Sequence, residues 1–432
     1  MSGRSWAAPA PHNGKRMRLP LYLLFCALPA FAQDARYDLI LKGGHVIDPR
    51  NGVDTVADVA IRGNQVAAVQ PNLPASSAAK VIDATGLYVT PGLVDIHVHV
   101  FYGNKHAVHA DGDMCVQPDI VSFRSGVTTM VDAGTSGWRE FEEFRRRVID
   151  TARTRVLAAL NIVGMGMLGE DDEIDQNSFD MDPKVTAAMA KKHSDVIVLI
   201  KTAHYRQPTF LAVERAVEAG NLTNLPVMVD FGYFFPERPY QTMVTDKLRP
   251  GDISTHFYRW PAPLLDKNEK LLPYLEVARK RGVKFDVGHG GGSFHFPNAE
   301  PVIHQGFWPD SISTDMHAAS ANGAMVDMLN VMSKILALGV PLKEVIREST
   351  TNPAMEIRRP QLGHIAVGAE ADIAVLRVEH GKFGFVDCKG GRIEGDQRLG
   401  CEMTLRAGKI VYDLNGRAGV PWRGSKIEYP VR

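Results

Sequence analysis

Cysteine is scarce: four residues in a chain of 432. No Cys-x-x-Cys pair occurs, which excludes a thioredoxin-type redox motif and a thiolate metal knuckle. A surplus of one charge is also missing, since 49 Lys and Arg balance 49 Asp and Glu. Neither nucleic acid nor an anionic membrane is therefore favoured as a partner. Zinc-finger spacing and a Walker-type phosphate loop are absent. The apolar run LPLYLLFCALPAFA (19–32) is too short for a transmembrane helix, which needs ~20 residues. With 45% apolar and 23% charged residues, the rest has the composition of a folded globular protein.

That apolar run has the form of a secretory signal. Lys15, Arg16 and Arg18 lie at its start, and Ala30-Phe31-Ala32 supplies an A-x-A cleavage site. The expectation is a signal region over 1–32, a mature chain from Gln33, and a periplasmic or extracellular protein. Cys26 lacks the small flanking residues of a lipoprotein site, so no stable membrane anchor is expected. Met17 is an alternative start. Export permits a disulfide, and Cys388–Cys401 is the one remaining pair close in sequence.

Residues 33–90 read as short alternating strands punctuated by Gly-Gly, Arg-Gly-Asn and Thr-Gly turns. Residues 359–432 look similar, so the two ends are expected to pair into one small β-sandwich. Between them, over 91–358, apolar strand-like runs alternate with helical patterns. Eight strands are expected, at 91–98, 127–134, 155–163, 196–203, 225–232, 253–258, 284–290 and 311–316. Near-continuous apolar runs suit parallel strands covered on both faces. Eight β/α units predict a closed (β/α)8 TIM barrel. An open doubly wound sheet is the alternative, but no glycine fingerprint follows its first strand.

The first barrel strand ends in His97-x-His99. Residues two apart on a strand share a face, about 6–7 Å apart along the chain, so two imidazoles can converge on one metal ion. Polar groups recur at the other strand ends: Lys201, Asp230, His256, Asp286 with His289, and Asp315 with His317. Chemistry in such barrels sits at these ends. A bare ammonium at Lys201 would be costly in an apolar strand. It needs a carboxylate partner such as Asp230, a depressed pKa, or conversion to a carbamate by carbon dioxide. Asp315 can cap the following helix, or ligate a metal and accept a proton. The run GHGGGSFHF (288–296) does not match a P-loop, and reads as a close-approach turn beside the site. In the loop 234–241, Arg238 is either solvated or a holder of a substrate carboxylate. Other loops expected to shape the pocket are 101–115 and 169–180.

Taken together, these residues resemble the amidohydrolase superfamily, in particular its dihydroorotase-like and amidohydrolase/deacetylase branch. The motifs span nearly the whole mature chain: DLILKGGHVIDPRNG, GLYVTPGLVDIHVHV, SGVTTMVDAGTSG, TTNPAMEI and GAEADIAVL. The resemblance implies a binuclear divalent-metal centre, two zinc ions or manganese, bridged by carboxylated Lys201. His97 and His99 would bind the more buried ion and His256 the more exposed one. Asp315 would bind the buried ion and act as general base, with His289 and His317 near the substrate.

One departure is plain. The family usually carries histidine at the end of strand five, where this chain has Asp230. Three outcomes are open, in this order: Asp230 is a ligand, it binds Lys201 and leaves a mononuclear site, or the site is degraded. The implied reaction is metal-assisted hydrolysis of an amide or ester bond in a small acylated molecule, most simply deacetylation. Cyclic amide opening, as by a dihydroorotase, and dipeptide cleavage are alternatives. An exported, non-catalytic barrel that binds a ligand is the reading from another class. A homo-oligomer is compatible with the sequence.

Overall fold

The computed structural model describes residues 37–101, 114–167 and 174–425. The expected signal region, its cleavage site and Cys26 lie outside the described residues, as do 102–113 and 169–173 of the two pocket loops. No helix among the described residues is long and apolar enough to cross a membrane.

Among the described residues, fifteen strands form two sheets. The first five are β1 (Tyr37–Asp48), β2 (Val53–Arg62), β3 (Gln65–Gln70), β4 (Ala78–Asp83) and β5 (Tyr88–Pro91). The barrel strands are β6 (Leu93–Val98), β7 (Val127–Gly137), β8 (Arg155–Asn161), β9 (Ile197–Thr202), β10 (Val227–Val229), β11 (Ile253–Ser254) and β12 (Lys284–Phe285). The last three are β13 (Ile373–Val386), β14 (Arg392–Arg406) and β15 (Lys409–Asp413).

Strands β6 to β12 lie side by side in chain order, all parallel. The expected eighth strand, 311–316, is not a continuous ladder. It closes the barrel through parallel bridges, Ser311 to Asp286 and Met316 to Val98. Side chains supply the missing bonds. The Thr314 N–H and hydroxyl both donate to Asp95, and the Ser311 and Ser313 hydroxyls donate to Asp286. Strands β10 to β12 are shorter than expected because left-handed residues follow them, namely Gly232, His256 and Gly288. Positive φ breaks extended pairing, and here it redirects side chains at the barrel mouth.

The two chain ends build the second sheet, in the order β15-β14-β13-β5-β1-β2-β3 with β4 on β1. It is one mixed sheet: β5 runs antiparallel to β13 and parallel to β1. Alternation is visible in β1 and β2. Leu39, Leu41, Val59 and Ile61 join one apolar cluster, while Ile40 and Ala60 join another on the opposite face. In the barrel, Leu199 and Met228 belong to a compact cluster with Val131, Leu157 and Ile253. Two residues further along the same faces stand Lys201 and Asp230, so this apolar layer forms the floor of the site. Helices such as Leu211–Thr223 and Met328–Ala337 cover the outside. Helix N-termini show the expected chemistry: Asp182, before Pro183–Lys192, and Asp327, before Met328–Ala337, accept first-turn N–H groups.

Candidate metal centre

The apolar strands bring His97, His99, Lys201, Asp230, His256 and Asp315 to one cavity of about 190 Å³ at their carboxyl ends, with His317 on its wall. Lys201, at the end of β9, is 1% exposed. Its Nζ lies 3.1 Å from His97 Nε2 and 3.7 Å from the Met228 sulfur. Among the described residues no carboxylate comes within ion-pair distance of it. The Lys201–Asp230 pair considered from the sequence therefore does not form. Burial pushes the Lys201 ammonium down from its ordinary pKa, although Asp230 and Asp315 oppose this.

Each imidazole of the cluster is anchored by one nitrogen so that the other faces the cavity. His97 Nδ1 is 2.9 Å from Thr255 Oγ1, whose hydroxyl donates to the buried Asp286 carboxylate at 2.7 Å. The Thr255 hydroxyl, having given its proton to Asp286, accepts from His97 Nδ1–H. His99 Nδ1 is 2.8 Å from Thr135 Oγ1. His256 Nδ1 is 2.5 Å from the Gly288 carbonyl, which can only accept. For His97 and His256 the Nδ1 partner accepts, so Nδ1 carries a hydrogen, and in all three rings Nε2 is the atom left to face the cavity, the arrangement of metal-ligating histidines. The Nε2 of His97, the Nε2 of His256 and a carboxylate oxygen of Asp315 fall within 4.8 Å of one another.

Asp315 Oδ1 lies 3.5 Å from His97 Nε2 and 3.2 Å from His99 Nε2. Burial pushes this carboxyl upward, but His97, His99 and His256 outweigh it and hold the group well below its usual range. The backbone at Asp315 is left-handed, φ 49°. Gly290 makes that placement possible: a Cβ there would sit 2.2 Å from Asp315 Oδ2. The glycine run is thus the expected close-approach turn. Asp230 follows β10 and accepts from the Gly232 N–H at 2.9 Å. Its Oδ2 lies 3.5 Å from His256 Nε2. Here too burial is outweighed, by His256 and His204, so the carboxylate stays ionised.

Three expectations are corrected. His289 does not reach substrate space. It is fully buried, stacks on Phe294, and is engaged through Nδ1 with the Gly290 carbonyl and through Nε2 with Lys334 Nζ at 2.7 Å. Arg238 is neither solvated nor aimed at a ligand. Its guanidinium donates to the carbonyls of Tyr205, Phe231 and Tyr233 and lies over the Phe231 ring, so it braces the loop after β10. Cys388 and Cys401 are not bridged. Cys388 lies against His289 and Gly290, whereas Cys401 faces Phe123 and Thr404.

Sequence reasoning missed His204, which lines the same cavity. It stands three residues beyond Lys201, past the end of β9, at φ 54°. The replacement of the strand-five histidine by Asp230 was the signal to look for an imidazole displaced elsewhere. Asp95 and Asp286 were also unassigned. Both are buried and set the backbone and ring orientation of His97.

Comparison with known proteins agrees with this geometry. The amidohydrolase family profile matches residues 292–406. A curated deacetylase of Agrobacterium fabrum is 32% identical over 327 residues, covering 74% of this chain and 78% of that protein. Among solved structures, an adenine deaminase superposes with a TM-score of 0.78 and a dihydroorotase with 0.76. Each is 26% identical and covers 87% of this chain, against 100% and 99% of the respective neighbour. Barrel, site and similarity place the chain in the amidohydrolase family.

Proposed function

We propose that this hydrolase is metal-dependent and removes an acyl group from a small N-acylated or O-acylated molecule, with Asp315 as general base. The observation that supports it most is the grouping of His97, His256 and Asp315 ligand atoms in one cavity with a buried lysine, Lys201, that touches His97 Nε2 and has no carboxylate partner among the described residues. These residues fit divalent metal: anchored imidazoles and ionised carboxylates are zinc or manganese donors. His97, His99 and Asp315 would hold the more buried ion, His256 with Asp230 the more exposed one, and Lys201 would lie between them. Bound metal supplies an acidified water and polarisation of the scissile carbonyl.

The remaining chemistry belongs to the chain. The depressed pKa of Lys201 favours its neutral amine. That amine attacks carbon dioxide, an N–C bond forms, a proton leaves to solvent, and an anionic carbamate replaces the neutral amine. Asp315 lies beside His97 and His99 with its carboxylate ionised. It takes the proton of the attacking water at Oδ and delivers it to the leaving nitrogen or oxygen. The small cavity suits a low-molecular-weight substrate. Deacetylation is supported by the name of the 32% identical relative. Opening of a cyclic amide is the second reading, supported by the dihydroorotase neighbour.

The test is a panel of N-acetyl amino acids, O-acetyl compounds and cyclic amides, assayed with zinc or manganese and bicarbonate. Chelation is expected to abolish turnover and metal to restore it. Asp315→Asn is expected to lose at least ~10²-fold in kcat. Parent-like turnover by the chelated protein or by Asp315→Asn would overturn the mechanism.

A further inference from the structure

His204 shares the cavity with the expected ligands but has no counterpart in the ligand set that the sequence suggested. We infer that His204 replaces the imidazole missing from the strand-five position, so that His204, Asp230 and His256 form the second divalent-cation site. The inference rests on the metal-hydrolase reading above and adds a ligand from a different strand.

The geometry brings three donors to one point. His204 Nε2 lies 3.0 Å from Asp230 Oδ2, and His256 Nε2 lies 3.5 Å from the same oxygen. His256 Nδ1 is engaged by the Gly288 carbonyl, so Nε2 is the ring atom turned toward this oxygen. Two imidazole nitrogens and a carboxylate oxygen so grouped are a donor set that suits a divalent cation. A carboxylate is shorter than an imidazole, so Asp230 leaves room that a ring arriving from the neighbouring strand can fill.

The surroundings hold His204 as a ligand is held. Its Nδ1 lies 3.3 Å from Oδ2 of Asp175, a residue only 2% exposed. Among the described residues the other oxygen of Asp175 has no hydrogen-bond partner, so there the His204 ring is the side-chain contact of this carboxylate. A carboxylate–histidine pair behind a metal fixes the tautomer and raises ligand basicity. Gln176, next to Asp175, donates to the His204 carbonyl at 2.9 Å and accepts the Arg206 N–H at 2.7 Å. One short turn thus clamps both the ring and the backbone of His204. On the other side, a Cβ at Gly232 would sit 3.1 Å from His204 Cα, and Gly232 has φ 65°. The loop after β10 passes His204 closely because that position is glycine. His204 also shares left-handed backbone with His256 and Asp315, a strained conformation concentrated at functional positions.

A different occupant of the same contacts is a proton: an imidazolium at His204 pairs with Asp175 and Asp230 and needs no second ion. Cobalt(II) stoichiometry separates the two. Metal-stripped full chain is titrated with cobalt(II) in bicarbonate, and ions per chain are counted by elemental analysis and by visible absorption. The expected result is two ions in the parent and one in His204→Ala, with the far-UV circular dichroism unchanged. Asp175→Asn keeps the ring but weakens its support, and should bind the second ion ~10–100-fold more weakly. Two ions at parent affinity in both variants would overturn the assignment. So would a single ion in the parent that His204→Ala retains. No ion in the parent would overturn the metal-hydrolase reading itself, so the two failures are distinguishable.

Discussion

Gly290 controls how closely the proposed base approaches the imidazoles. Any side chain there would overlap the Asp315 carboxylate, and its φ of 53° already disfavours an L-residue. Gly290→Ala is expected to cost about 1–2 kcal/mol of stability from the left-handed backbone alone. It should also lower kcat by ~10²-fold, the effect of displacing a reacting group by about an ångström. Thermal melting and steady-state kinetics check both. A variant with parent kcat would show that the close approach of residue 290 is not needed. Single residues were legible in the sequence where chemistry was conspicuous against an apolar background. His97 and His99 obey the two-residue strand period, and a lysine inside a buried strand demands an explanation. His289 and Arg238 were misjudged because a position in a loop says nothing about burial. His204 was missed because its side chain reaches the cavity through a left-handed turn, which no strand periodicity encodes.

Among the elements, the helix Leu342–Glu348 ends on a carboxyl that is 3% exposed. Its Oε2 has no hydrogen-bond partner among the described residues. Burial, with Glu344 and Asp310 nearby, pushes the Glu348 pKa from 4.5 up to about 9. The folded protein therefore keeps a proton that the unfolded chain releases near pH 4.5. Stability from this group is fully present below pH 4.5 and is lost as pH rises towards 9. Glu348→Gln removes the titration. Its melting temperature relative to the parent should rise from pH 4 to pH 8, and an offset independent of pH would refute the assignment. The elements themselves were legible as types and order, since apolar runs of strand length separated by helical patterns are difficult to arrange otherwise. Their ends were not. Strands β10 to β12 stop early where the backbone turns left-handed to present site residues. The eighth strand adds side-chain bonds to Asp95 and Asp286 to an interrupted set of backbone bonds. In both places local function overrides regular pairing.

For the whole molecule, the barrel and the second sheet are tied by a charged cluster. Arg155 of β8 pairs with Glu370 and Asp372, and Arg406 of β14 pairs with the same two carboxylates. The (β/α)8 architecture with a sheet from both chain ends was readable because both ends carry the same short-strand, glycine-turn texture. That they join in one mixed sheet, with β5 between β1 and β13, was not readable, because strand pairing across nearly the full chain leaves no local signature. We further propose that the chain is exported, on its basic, apolar and A-x-A N-terminal pattern. Protein recovered from the periplasm should then begin at Gln33 by intact mass. An uncleaved chain confined to the cytoplasm would remove that proposal.

The placement of β5 between β1 and β13 has a consequence in time. A ribosome makes β1 about three hundred residues before the partner that completes its sheet. Until β13 to β15 emerge, the early strands have an open edge and the barrel's first strand has no finished neighbour sheet. Completion of this sheet therefore waits for the end of synthesis. If the chain is exported as proposed above, late closure of the sheet would help to keep it threadable through a membrane pore.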